Sequence, residues 1–170
     1  MKPLPPELAD LVDGIIKKVR IDVEAGNAPQ TFAIVGSTLS REVFEVPLPT
    51  DEDQAKTQAA EHIRRVASLM SADFVVLVVN SWGLPKRKLK DFDAIMDKYG
   101  SVGNSPYRVS QMAFTVETNE GVWLGTAPLV KNPRKVRGDT FGAVTFFSGT
   151  TSDTAGVFSS LLPQVRATRH

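Results

Sequence analysis

Cysteine is absent from all 170 residues. That one gap excludes disulfides, thiolate zinc sites, iron–sulfur clusters and thiol nucleophiles, because each depends on sulfur as ligand or bond former. Histidine is nearly as scarce, with His62 inside the chain and His170 at its end. Neither metal nor other cofactor is therefore expected. No apolar run approaches the roughly 20 residues that cross a bilayer, so no membrane association is expected. Met1-Lys2-Pro3-Leu4-Pro5-Pro6 has no apolar stretch of the signal-peptide kind, and the expectation is a soluble, cytoplasmic protein. The Gly-x-Ser-x-Gly elbow, the dinucleotide fingerprint and the His-Glu-x-x-His helix are missing too, which leaves no recognisable catalytic constellation.

What is present suits a single domain spanning residues 1–170. Hydrophobic residues make up 42% and charged residues 23%, enough apolar volume for a core and too little net charge for a disordered chain. A chain of this length buries roughly 70% of its unfolded surface. The net charge of +1 conceals an uneven distribution. Residues 1–82 carry 8 basic against 12 acidic side chains, and residues 83–170 carry 12 against 7. Such asymmetry bears on partners rather than on fold.

Periodicity predicts the elements. Leu8, Leu11, Val12, Ile15, Ile16, Val19 and Val23 recur at spacings of three and four, the stripe of an amphipathic helix bracketed by Pro5-Pro6 and Gly26-Asn27. Residues 30–36 and 41–48 read as a hairpin. Its second strand, carrying Pro47 and Pro49, either sits at a sheet edge or ends there, because proline donates nothing to a ladder. Thr50-Asp51-Glu52-Asp53 reads as the start of a second helix, with a hydroxyl cap and three carboxylates at the positive end of the dipole. Residues 74–79, Phe-Val-Val-Leu-Val-Val, form a short apolar run without alternation, the mark of a central strand covered on both faces. A helix is expected over 86–99, stopped by Gly100, then strands over 108–118 and 122–129 joined by Asn119-Glu120-Gly121. A strand over 141–147 and a short helix through Val157, Phe158, Leu161 and Leu162 close the chain. Short connections between successive strands favour an α+β fold with a mainly antiparallel sheet of about six strands, in the order α-β-β-α-β-α-β-β-β-α. Both main helices are expected on one face.

The chemistry-bearing residues mostly have structural explanations. His62 lies on a helix flank beside Glu61 and Arg65. Asp51, Glu52 and Asp53 are explained by the helix dipole, and Asp91, Asp93 and Asp97 as solvated charge beside Lys90 and Lys98. Two features point further. Residues 148–156 form a glycine-flanked loop between a strand and a helix; Ser148, Gly149, Thr150, Thr151 and Ser152 offer amides and hydroxyls to a phosphate. The loop lacks the Gly-Lys-Ser/Thr of a Walker motif, and it has no basic residue. The stronger candidate is a basic surface in two stretches: Lys86, Arg87, Lys88 and Lys90, then Lys131, Arg134, Lys135 and Arg137, with Trp82 before the first and Tyr107 and Arg108 after it. Cations neutralise phosphates, and an adjacent aromatic can stack on a base or a sugar.

Ala72-Asp73-Phe74-Val75-Val76-Leu77-Val78-Val79-Asn80-Ser81-Trp82, followed by Val116-Glu117-Thr118 and Gly121, resembles small uncharacterised α+β proteins of bacteria and their phages, over roughly residues 55–130. The resemblance implies that fold and a phage or mobile-element origin. It brings no activity and no site residue.

The leading functional expectation is a non-enzymatic binding protein that engages a polyanion, such as nucleic acid, or an acidic protein through its basic C-terminal half. A small hydrolase or transferase acting on a phosphate-bearing ligand at the 148–156 loop is the rival. A structural subunit that pairs its sheet edge with a copy of itself, a homo-oligomer, is the third reading.

Overall fold

Proline and glycine punctuate the first helix as read. In α1 (Pro6–Glu24) Pro6 occupies the first turn, where the amides have no helical partner to lose. Gly26, at φ 85°, ends it by donating its amide to the Val23 carbonyl at 3.0 Å. The computed structural model describes residues 2–49, 53–131, 139–149 and 160–163. Within them lie the hairpin β1 (Phe32–Gly36) and β2 (Val43–Pro47), helix α2 (Asp53–Leu69), strand β3 (Phe74–Gly83) and helix α3 (Phe92–Tyr99). Strands β4 (Val109–Thr118), β5 (Gly121–Pro128), β6 (Val130–Lys131), β7 (Asp139–Thr140) and β8 (Thr145–Gly149) follow.

The fold is α+β. Six strands form one sheet in the order β2-β1-β3-β4-β5-β8, and every neighbouring pair is antiparallel. As expected, β2 with its proline is an edge. The β1–β2 bonds Leu48 N–H to Thr31 and Ser37 N–H to Glu42 alternate so that position 47 points its amide side outward, where a missing N–H costs nothing.

The uninterrupted run of β3 is central and buried on both sides: Phe74, Val75, Val76, Leu77 and Val78 are all buried. Alternate residues serve two different cores. Phe74, Val76 and Val78 join α1, Met112, Phe114, Val116 and Trp123. Val75 and Leu77 join Ala60, Ile63 and Ala67 of α2, together with Leu161 and Leu162. The expectation that both main helices share one face is thereby corrected: α1 and α2 cover opposite faces. Successive strand side chains point to opposite sides, so a strand that is apolar at every position needs a cover on each.

Other boundaries moved for identifiable reasons. Strand β3 continues past Val79, because the ten residues of β4 supply a partner for every position through Gly83. The helix expected over 86–99 is divided into a 3-10 turn (Lys86–Asp91) and α3; Ile95 is the only fully buried anchor in the two pieces, so no continuous stripe enforces the α period over the first. Gly100 does end α3, at φ 79° with its amide on the Met96 carbonyl at 2.8 Å. In the β4–β5 hairpin Gly121 pairs with Thr118 as a strand residue, leaving Asn119-Glu120 as the turn.

The strand expected over 141–147 begins instead at Thr145. Phe141 is buried in the α1 core with its ring centroid 6.1 Å from that of Phe114. Arg20 donates to the carbonyls of Phe141 and Gly142, each at 3.1 Å, which replaces ladder partners there. Val157 and Phe158 of the expected final helix lie outside the described residues. Leu161 and Leu162 are buried without being helical; their amides donate to the Glu117 carboxylate at 3.0 and 3.4 Å. Among the described residues no helix is long and apolar enough to cross a membrane.

Gly36 is required by its cross-strand neighbour. It pairs with Phe74, and a Cβ at position 36 would land on the tip of the Phe74 ring. Gly36→Ala must push that buried ring off its site, an overpacking cost of about 1–3 kcal/mol. Urea unfolding should show a lower midpoint with an unchanged slope.

Candidate functional site

The site lies where β3 ends and β4 begins. Antiparallel register sets Trp82 opposite Ser110, so Tyr107 and Arg108 reach the sheet beside Trp82 although the chain has travelled through α3 in between. The Arg108 guanidinium stacks over the Trp82 ring at 4.3 Å from its centroid. Its Nη1 donates to the Gly103 carbonyl at 2.6 Å, which ties the loop before β4 to the ring. Gly103 itself abuts the indole: a Cβ there would stand 3.0 Å from Cδ1. Trp82 nonetheless remains 50% exposed.

A second pair stands beside the first in sequence. Lys88 Nζ sits 4.1 Å from the centroid of Tyr107, whose amide donates to the Ser105 hydroxyl at 3.0 Å. A cation over an aromatic face is attracted by the ring quadrupole, and each pair holds its two side chains in a defined place. The 3-10 turn sorts the remaining cations. With three residues per turn, positions three apart eclipse. Lys86 and Leu89 therefore share a row, and both line an open depression of about 520 Å³ with Trp82, Phe92, Gln111 and Pro128. Arg87 and Lys90 share another row and are exposed. None of Lys86, Arg87, Lys88, Lys90 and Arg108 forms an ion pair with a described carboxylate. Asp93 and Asp97 are exposed on α3 and lower the net charge of the segment without pairing to it.

The first basic stretch, Trp82 and Arg108 are thus brought together. Lys131 leaves from the same end of the sheet: the Leu129 amide donates to the Ser110 carbonyl at 2.9 Å, and Lys131 follows two residues later. It pairs with Asp139 in the small β6–β7 ladder, which is tied to the end of α1 where Thr140 Oγ1 donates to Glu24 at 2.7 Å. Arg134, Lys135 and Arg137 lie outside the described residues.

The phosphate-loop candidate stands elsewhere. Ser148 and Gly149 belong to edge strand β8 rather than to a loop, paired with Trp123 and Val122; Thr150, Thr151 and Ser152 are outside the described residues. Their end of β5 is the hairpin end, roughly 20 Å along the strand from Pro128 at about 3.3 Å per residue. Ser148 and Gly149 are therefore separate from the basic cluster. His62 is exposed on α2, on the helix flank and away from the basic cluster in sequence and in fold.

Sequence periodicity missed three contributors. Leu89 and Phe92 keep a helical spacing with Ile95, Met96 and Tyr99, yet they are 57% and 45% exposed and help to form the depression. Their adjacency to a run of four cations was the available signal, since a buried stripe seldom begins inside one. Gly103 carried no signal, because its role is the space it leaves for Trp82. Compared with family models, curated proteins and solved structures, the chain matches none.

Proposed function

We propose that this protein is a non-enzymatic binding protein that engages a polyanion through the cation–aromatic end of its sheet, acting in the cytoplasm. One observation carries the reading: Arg108 on Trp82 and Lys88 on Tyr107 form two stacked pairs beside exposed Lys86, Arg87 and Lys90, and no described carboxylate neutralises them. Unpaired cations on a surface are worth little to folding, whereas a polyanion releases condensed counterions when it meets them. Lys131 at the same end extends the surface, and the phage or mobile-element origin remains part of the proposal through the segment from Ala72 to Trp82.

Retention on heparin across a salt series tests this. The parent should elute progressively earlier as salt rises. The combined variant Lys86→Ser, Arg87→Ser and Lys90→Ser should bind more weakly at low salt, and its log-affinity against log-salt slope should fall by about 2 to 3, close to one unit for each lost phosphate-type contact. Weak retention that is independent of salt and unchanged by the substitutions would overturn the proposal.

A further inference from the structure

We infer that the polyanion taken at this end of the sheet is a single-stranded nucleic acid, with Trp82 as the platform on which one base stacks; this rests on the polyanion reading above and narrows it. Cations alone attract any polyanion, but they give no reason for large aromatic faces to remain in water among them. Trp82, Phe92 and Tyr107 are 50%, 45% and 37% exposed, and all belong to the segment that holds the basic cluster. The other tryptophan, Trp123, is 1% exposed, so the core has no difficulty in accepting an indole.

The arrangement repeats the chemistry of a strand. A single-stranded nucleic acid alternates a flat, largely apolar base with one negative charge. Here each of two aromatics carries its own cation, Arg108 over Trp82 and Lys88 over Tyr107, with Tyr107 and Arg108 adjacent in sequence. Duplex DNA hides its base faces and shows only edges in its grooves, so it can use the cations and not the rings. A sulfated polysaccharide can lay a sugar face on a ring but has no π-face of its own, so it gains less from the aromatics than a base does. Beside the indole, the depression walled by Leu89, Phe92 and Pro128 offers an apolar recess for a base, with Lys86 at its rim.

Trp82 is also pre-positioned. Arg108 is held by its bond to the Gly103 carbonyl, and Gly103 packs against the indole edge. A ring already fixed loses less rotamer freedom when a base covers it. Base–aromatic stacking tolerates any sequence, because every base has a π-face, so little sequence preference is expected.

The experiment titrates the full chain at low salt with a short oligothymidylate, the same strand in a duplex, heparin and polyglutamate, and follows tryptophan emission and affinity together. Trp123 is buried, so quenching reports Trp82. The single strand should quench, and duplex and heparin should bind without quenching. Trp82→Ala should weaken the strand by roughly 5- to 100-fold, the usual range for one stacked base, and weaken heparin far less, by no more than the loosening of Arg108 from its stacked position. Trp82→Phe should keep most of the affinity while abolishing the quench, a control that needs no loss of the ring. If duplex and heparin bind as tightly as the strand and none quenches, this inference fails while the polyanion reading stands. If no anion binds, both fail. If polyglutamate binds in preference to the strand, the partner is an acidic protein and the inference is overturned.

Discussion

Val76→Asp is expected to leave no folded protein at room temperature, and Val78→Asp likewise. Both valines have 0% exposure at the centre of the sheet. Val76 stands between Ile34 and Val116, and Val78 between Phe32 and Phe114, in the two ladders of β3. Both belong to the cluster beneath α1, which offers an aspartate no cation, and whose one side-chain donor, Trp123 Nε1, is already committed to the Lys2 carbonyl. Burying an unpaired carboxylate, or neutralising it in order to bury it, costs several kcal/mol, against a total stability of about 5–15 kcal/mol for a typical domain. The same change at Val43 is the control for position: it sits on the edge strand at 55% exposure, and Val43→Asp should cost within about 1 kcal/mol. Thermal melts of the three variants decide the matter; melts of the β3 variants close to the parent would contradict the interior placement.

Trp123→Ala should produce the next largest loss. The indole is 1% exposed in the α1 core, and its Nε1 donates to the Lys2 carbonyl at 2.9 Å, which anchors the segment preceding α1 to β5 on the face that α1 covers. Truncating a fully buried aromatic removes its transfer energy and leaves a cavity, about 3–5 kcal/mol together, or a fall in melting temperature of about 6–20 °C for a chain of this size. Trp123→Phe should restore most of that, with about 1–2 kcal/mol remaining for the lost hydrogen bond and the smaller ring. Heparin affinity should be unchanged in whatever fraction stays folded, because Trp123 faces the core and Trp82 the solvent. Calorimetric melting of the two variants separates packing from the hydrogen bond.

The candidate site was half legible in the chain. Lys86, Arg87, Lys88 and Lys90 stand out as a charge run, and Trp82 precedes Lys86 by four positions. The stacking of Arg108 on Trp82 could not be read: the two are far apart along the chain, and only the register of β3 on β4 fixes which residues of the second strand arrive beside the first. The expected loop placement of Ser148 and Gly149 was overturned for a related reason. Glycine and serine suit a turn by local propensity, yet hydrogen bonding to β5 makes strand residues of both, and ladder formation overrides a local preference worth no more than about 1 kcal/mol.

The sequence by itself determined the elements whose burial is periodic: the stripe of α1 with its proline and glycine ends, the alternation of Met112, Phe114 and Val116 in β4, the edge character of the proline-bearing β2, and the central place of residues 74–78. These follow from local rules, since a period of 3.6 or 2 and a missing N–H act within a few residues of chain. Tertiary structure alone decided the rest. It set α1 and α2 on opposite faces, drew Phe141 out of a strand and into the α1 core, held Leu161 and Leu162 on the Glu117 carboxylate, and gathered Trp82, Tyr107, Lys88 and Arg108 at one end of the sheet. Each of these depends on contacts between distant segments, whose energy comes from the surface they remove from water together, and no single segment carries that information.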